Sequence, residues 1–322
     1  MTAKVVSWGS SNGKGGRGAF ERLLHQVDLL KRSGMDVRVL TIDPLRTFWN
    51  SELEKDHFRS GCAPVEALHR AKSLICAKEA DAVFIHGRDF LSSGYSPEER
   101  RNLMKIYDGI SLIDAYTSLA RRFIEIHGIT ESGFRELADA LFKNYLYTWK
   151  MRGFEPVYHE SWLCPVTPLF RGVDCANPVI DFEGGILVCH GKDLSDVKKV
   201  IGTSLTPLEL SGVAVESLST DGPGSLNQIA AYDHLKRVIE EAGRQACISI
   251  ARELRQKRLL MEVYTCFPVV PLAFLLCSGL VADLKDAFSF LSSHPITVTG
   301  GMNLAKAPWN NPALHALVVI CD

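Results

Sequence analysis

From Lys4 to His86 the chain alternates short apolar runs with amphipathic stretches, and this alternation restricts the fold more than any other feature. Lys4 to Trp8 reads as a strand. Ala19 to Ser33 reads as a helix, with Phe20, Leu23, Leu24, Val27 and Leu30 at helical spacing and Gly34 as its stop. Asp36 to Ile42 alternates as a strand, a helix follows from about Pro64 to Lys78, and Asp81 to His86 (DAVFIH) is a run that suits a strand buried on both faces. Strand, helix and strand in this order predict a layered α/β fold.

The remainder is read more coarsely. Residues 95–155 are mostly helical and amphipathic, which suggests a helical insertion over the core, spanning about 95–180 once the irregular stretch 160–182 is included. Ile186 to His190 is the next expected strand, and Val197 to Leu210 opens a second half. In that half a long helix is expected over Asn227 to Arg244 and another to Lys257. Strands are expected at Leu259 to Tyr264 and Ile296 to Thr299, with a helix from about Val269 between them. Two related halves, 1–196 and 197–322, are the economical division.

Val263 to Ala282 is free of charge and long enough to span a bilayer, but Pro268, Pro271 and Gly279 interrupt it, so a buried strand–turn–helix is expected. The 322 residues are 46% hydrophobic and 23% charged with a net charge of −1, which offers no field for nucleic acid or an anionic membrane. Nine cysteines form no CxxC pair, and their odd number argues against a disulfide framework, so reduced thiols in a cytoplasm are expected. The N-terminus lacks the pattern of a secretory signal.

The run Gly9 to Gly18 (GSSNGKGGRG) looks like a phosphate cradle but fails the P-loop spacing: Gly15 stands where Ser or Thr would bind magnesium. A surface loop is expected. No histidine has metal-site context, and Asp181 and Glu183 are read as capping and turn residues. Cys62, in FRSGCAPVEAL, is placed in a loop directly before a helix, where the positive end of the helix dipole favours its thiolate.

Five segments then carry a family resemblance: SGCAPVEALHRAKSLICAKEADAVFIHGRD, HGITESGFRELA, IDFEGGILVC, MEVYTCFPVV and ITVTGGMNLAKAPWNNPALHAL. In order and spacing, over roughly residues 55–318, they resemble the thiolase-like superfamily, most of all its sterol-carrier branch. The resemblance implies an αβαβα layered architecture of two related halves. It implies a thiolate that attacks an acyl-CoA thioester, giving an acyl-cysteine, with an oxyanion hole alongside.

Cys62 matches the nucleophile, though Pro64-Val65 stands where Ser-Gly is common. Tyr264 occupies the place of the oxyanion-hole Asn or His, with a core tyrosine as the equal alternative, and Cys266, Gly300 and Gly301 fall in the substrate-binding motifs. At the Gly-His-Pro site Ala307 precedes Pro308, so the base is missing. His315 is a substitute by sequence proximity alone, and a packed helix histidine is the commoner reading. In the family a strand pair with a second catalytic cysteine follows this helix, and Cys321 lies too early to be that residue; the C-terminal half is therefore read as incomplete, shortened or completed by association. The resemblance implies acyl transfer on a coenzyme A thioester, with no bound cofactor and no metal. It leaves open a degenerate subunit that binds acyl-CoA or supports a partner enzyme, and a retro-aldol lyase of CoA thioesters. A homodimer, and an OB-fold or thiolase-like partner subunit, are expected by the same analogy, without nucleic acid or a membrane span.

Overall fold

The computed structural model describes residues 2–107, 109–218, 220 and 222–322. In chain order the elements begin β1 (Ala3–Ser10), α1 (Gly16–Arg32), β2 (Val37–Ile42), β3 (His57–Phe58), α2 (Ala63–Ala77), β4 (Ala82–Phe90) and α3 (Pro97–Leu103). Then follow α4 (Leu112–His127), α5 (Glu131–Met151), β5 (Asp181–His190), α6 (Leu194–Ile201) and β6 (Leu208–Glu209). The last are α7 (Leu226–Ala231), α8 (Asp233–Ala246), α9 (Ile250–Arg255), α10 (Val269–Cys277), α11 (Asp286–Ser293), α12 (Gly301–Leu304) and α13 (Pro312–Cys321).

The residues group into two compact units, each discontinuous in sequence: 1–103 with 179–215 and 308–322, and 104–178 with 216–307. The contacts therefore cut across a division at residue 196.

The first unit holds all six named strands in one mixed sheet of order β3-β2-β4-β5-β1-β6. β2 pairs in parallel with β3 and β4, whereas β5 runs antiparallel to β4 and β1, and β6 antiparallel to β1. Alternation sorts the side chains: Val83 and Ile85 of β4 pack with α2 and α13, while Ala82 and Phe84 pack with α1 and α6. Both faces are covered, which is why Ala82 to Ile85 reads as an unbroken apolar run. Helix α1 buries Phe20, Leu23, Val27 and Leu30 of the expected stripe, while Leu24 is exposed.

The second unit is helical. Its core is built by α4, α5 and α7 to α12 around Phe123, Phe134, Leu141, Val269 and Leu272. The strands expected at 259–264 and 296–299 are not formed: both segments are extended and share one backbone hydrogen bond, from the Val263 N–H to the Ile296 carbonyl at 3.0 Å. The second sheet of a five-layer arrangement is accordingly missing among the described residues. Side chains have taken over the backbone groups. Asn144 donates to the carbonyls of Leu291 and His294 and accepts from the Ile296 N–H, and Thr148 donates to the Thr297 carbonyl.

The expected long helix at 227–244 is broken at Tyr232, whose left-handed backbone (φ 54°) ends α7 and begins α8. Its ring packs edge-on against Phe123 with 6.3 Å between centroids, and that burial offsets a strain of about 1–3 kcal/mol. The apolar run 263–282 became the nine-residue α10 and its flanks. No helix among the described residues is long and apolar enough to cross a membrane.

Candidate functional site

Cys62 is the N-cap of α2, in the loop-to-helix position expected for it, and the residue is exposed. Its N–H donates to Ser60 Oγ at 3.0 Å, Ser60 Oγ donates to Glu66 Oε1 at 2.8 Å, and its carbonyl accepts from Val65 and Glu66. These bonds fix the first turn of the helix. They also bring a carboxylate to the thiol. Crowding by protein, and secondly the charge of Glu66, raise the Cys62 pKa. The helix terminus alone predicted the opposite direction; the neighbours outweigh it, and the resting species at neutral pH is the thiol.

Three residues upstream, Arg59 forms a knot. Its Nη2 donates to Asp43 Oδ2 at 2.9 Å, and its Nη1 donates to the carbonyls of Phe48, Trp49 and Ser51. Both side chains of this ion pair are almost fully buried, at 3% and 4% exposure. His57 Nδ1 lies 2.7 Å from Asp43 Oδ1. Phe58 packs with the α2 cluster, so His57 and Arg59, which alternate with it, turn to the other side of the edge strand. The dyad thus anchors the 43–59 loop.

His315 lies on the inner face of α13, buried, with its ring 5.9 Å from Phe182. That matches the packed helix histidine. Asn311, the N-cap of the same helix, is fully buried over Gly87, where any Cβ would overlap the Asn311 carboxamide. Asp181 accepts the N–H groups of Ser92 and Ser93, in line with the expected turn role, whereas Glu183 forms a cross-strand ion pair with Arg88 at 2.9 Å instead of a cap or turn. The glycine run joins β1 to α1, and the Asp322 carboxylate accepts its Lys14 N–H at 2.9 Å.

The second unit gathers Tyr264, Cys266, Gly300 and Gly301. Cys266 is buried; its thiol lies 3.6 Å from Tyr116 Oη as donor, and its carbonyl accepts the Ala176 N–H at 2.8 Å. Tyr116 stacks on Phe267 with centroids 4.1 Å apart. The charge that Cys266 would carry, burial and the charge that Tyr264 would carry hold the Tyr116 phenol well above its ordinary range, so it stays neutral and accepts the Cys266 thiol. The neighbouring Cys175 thiol is pushed up to about 12, chiefly by burial. Tyr264 is half-buried among these groups. Gly300 and Gly301 are both left-handed (φ 94° and 76°), with Gly300 against the Trp149 ring and Gly301 against Thr265 and Tyr145. Ala307 is buried and donates its N–H to the Asn177 carbonyl, so the expected base position carries only a methyl group.

Sequence reasoning missed the Arg59–Asp43–His57 knot and the clamps of Asn144 and Glu262. A signal existed for the last: Glu262 is the lone charge in LLMEVYTCFPVVPLAFLLCSGLVA. Among the described residues no cluster of three or more His, Cys, Asp or Glu could hold a metal ion.

The mixed sheet covered on both faces, the exposed cysteine at the start of α2 and the late glycine pair define a thiolase-like α/β fold. Among solved structures, the chain is similar to an SCP2-thiolase-like protein type 1 from Mycobacterium smegmatis, described as monomeric, at 15% identity and a TM-score of 0.64, over 99% of this chain and 71% of that one. It is similar to an Ltp2–ChsH2 (DUF35) aldolase at 15% identity and a TM-score of 0.63, over 98% and 89%. An acetyl-CoA acetyltransferase from Syntrophomonas wolfei follows at 14% and 0.57, over 99% and 92%. No family model matches the chain, and no curated protein matches it.

Proposed function

We propose that this chain acts on acyl-CoA thioesters, accepting the acyl group on Cys62. The supporting observation is the exposed Cys62 at the N-terminus of a 15-residue helix in a thiolase-like fold. The first-turn amides of α2 are already engaged, Ala63 on the Ser60 carbonyl and Val65 and Glu66 on the Cys62 carbonyl, so the oxyanion of the tetrahedral intermediate needs donors from outside this helix. The exposed thiol gives its proton to solvent and adds to the thioester carbonyl; collapse expels CoA thiolate, which takes up a proton from solvent, and leaves the acyl-cysteine. Because crowding by nearby protein and the charge of Glu66 keep Cys62 protonated, this step is slow until that proton is removed. Coenzyme A thioester is the substrate, with no resident cofactor, and a homodimer or an OB-fold or thiolase-like partner in the cytoplasm belongs to the same proposal.

A second reading is favoured by one observation, the buried Ala307 at the expected base position. On it the chain binds acyl-CoA, or supports a partner enzyme, without turnover. A retro-aldol lyase is a variant of the enzyme reading, in which the Tyr264 phenol serves as proton donor. Intact mass after incubation with acetyl-CoA separates them. An acetyl adduct lost in Cys62→Ala supports transfer. Binding of acetyl-CoA without an adduct, with Cys62 alkylated by iodoacetamide no faster than the other cysteines, assigns the binding role.

A further inference from the structure

We infer that Glu262 is a positioning residue that stands in for a β-ladder, fixing the Val298–Met302 turn against the Tyr264–Cys266 segment. In a ladder the N–H groups of one segment end on the carbonyls of its neighbour. Here the Val298 and Thr299 N–H groups both donate to Glu262 Oε2, at 2.6 and 2.9 Å, and the Thr299 hydroxyl donates to Oε1 at 2.6 Å. Thr299 Oγ1 in turn accepts the Gly301 N–H at 3.0 Å, and Thr265 Oγ1 accepts the Met302 N–H at 2.8 Å.

On the other side of the Thr299 peptide, Arg152 donates to its carbonyl at 2.9 Å. The Val298, Thr299 and Met302 amides are thus held by Glu262 and Thr265, side chains of the segment that carries Tyr264 and Cys266, and the Gly301 amide by Thr299 itself. Regular pairing could not do this, because Gly300 and Gly301 are left-handed and turn the chain out of any strand register. A carboxylate suits the place: it is acceptor-only, and it meets three donors at once.

This role rests on the reading that Tyr264 and the glycine pair belong to the thioester site. The test uses the full chain with backbone-amide hydrogen exchange and acetyl-CoA binding, in wild type, Glu262→Ala, Glu262→Gln and a core truncation in the same unit, Ile124→Val. Loss of two charge-assisted bonds predicts at least about tenfold faster exchange at Val298 and Thr299 in Glu262→Ala. Glu262→Gln, which keeps an acceptor oxygen, restores most of the protection, and Ile124→Val leaves those two amides near wild type. Acetyl-CoA affinity falls about tenfold in Glu262→Ala and holds in Ile124→Val.

Unchanged exchange in Glu262→Ala, or equal acceleration in Ile124→Val, overturns the clamp; unchanged affinity in Glu262→Ala overturns the positioning role. Should Glu262→Ala fail to fold, Thr299→Val is expected to accelerate the Gly301 amide, and no change there sinks the proposal. If wild type does not bind acetyl-CoA, the thioester reading fails, and the exchange result alone decides the clamp.

Discussion

At the scale of single residues, Cys62 shows that a helix N-terminus does not by itself make a thiolate. Glu66 enters the first turn because its carboxylate accepts from Ser60, and its charge then opposes ionisation of the thiol. Glu66→Gln is therefore expected to speed Cys62 alkylation at neutral pH by roughly threefold, read from the iodoacetamide rate of that cysteine alone. Arg59 is the opposite case, a buried cation whose partners are complete. Arg59→Met leaves Asp43 buried beside His57 alone, and a loss of about 3–5 kcal/mol is expected in chemical denaturation. Glu262 titrates with a definite sign. Burial raises its folded-state pKa above the ordinary 4.5, the donors from Thr299 and Val298 offsetting only part of that rise. A raised carboxyl contributes stability that is fully present below the unfolded pKa and is lost as pH rises through the folded pKa. The melting temperature of Glu262→Gln relative to wild type should accordingly climb with pH above 4.5 and level off once Glu262 is ionised; a flat difference would refute the shift.

At the scale of elements, the contact between β4 and α13 depends on a missing side chain. Gly87 lets the Asn311 carboxamide lie on the strand, so Gly87→Ala overpacks the contact and should cost about 1–3 kcal/mol. Asn311→Ala in the same chain removes the clashing atoms, and a clearly sub-additive double mutant is the expected outcome of the cycle. Helix α5 carries a second such device. Asn144 sits on the stripe that also buries Leu137, Leu141, Tyr145 and Thr148, and its amide closes the 291–296 turn with three hydrogen bonds. Asn144→Leu keeps the volume but leaves two carbonyls and one N–H unpaired.

The molecule as a whole is organised by contacts that ignore sequence order. Residues 1–196 contain most of the sheet but lack β6 and α13, whose Leu314 and Val318 complete the core under α2. They also include α4 and α5 without the 216–307 helices that bury Phe123, Phe134 and Leu141. A fragment ending at residue 196 is therefore expected to show no cooperative thermal transition by circular dichroism, whereas the full chain should. A cooperative fragment would mean that the division into halves, and not the contact units, describes folding.

Alternation sufficed for β1, β2 and β4 and for helices α1 and α2, because buried strands and amphipathic helices carry their own local periodicity, whereas the two-residue β3 had no such signal. The loop-to-helix setting of Cys62 was legible for the same reason. The resemblance alone implies a base at Ala307, seven positions after Gly300. Periodicity was silent on three other matters. Leu259 to Tyr264 has strand-like composition, yet Glu262 and Asn144 satisfy the backbone that a ladder would have paired. The break at Tyr232 comes from packing on Phe123 and has no local signal. The direction of the Cys62 pKa was set by crowding from nearby protein and by the charge of Glu66, quantities that exist only after the chain has folded. Local pattern determines which segments are strand or helix; partners far apart in sequence decide which hydrogen bonds and charges those segments keep.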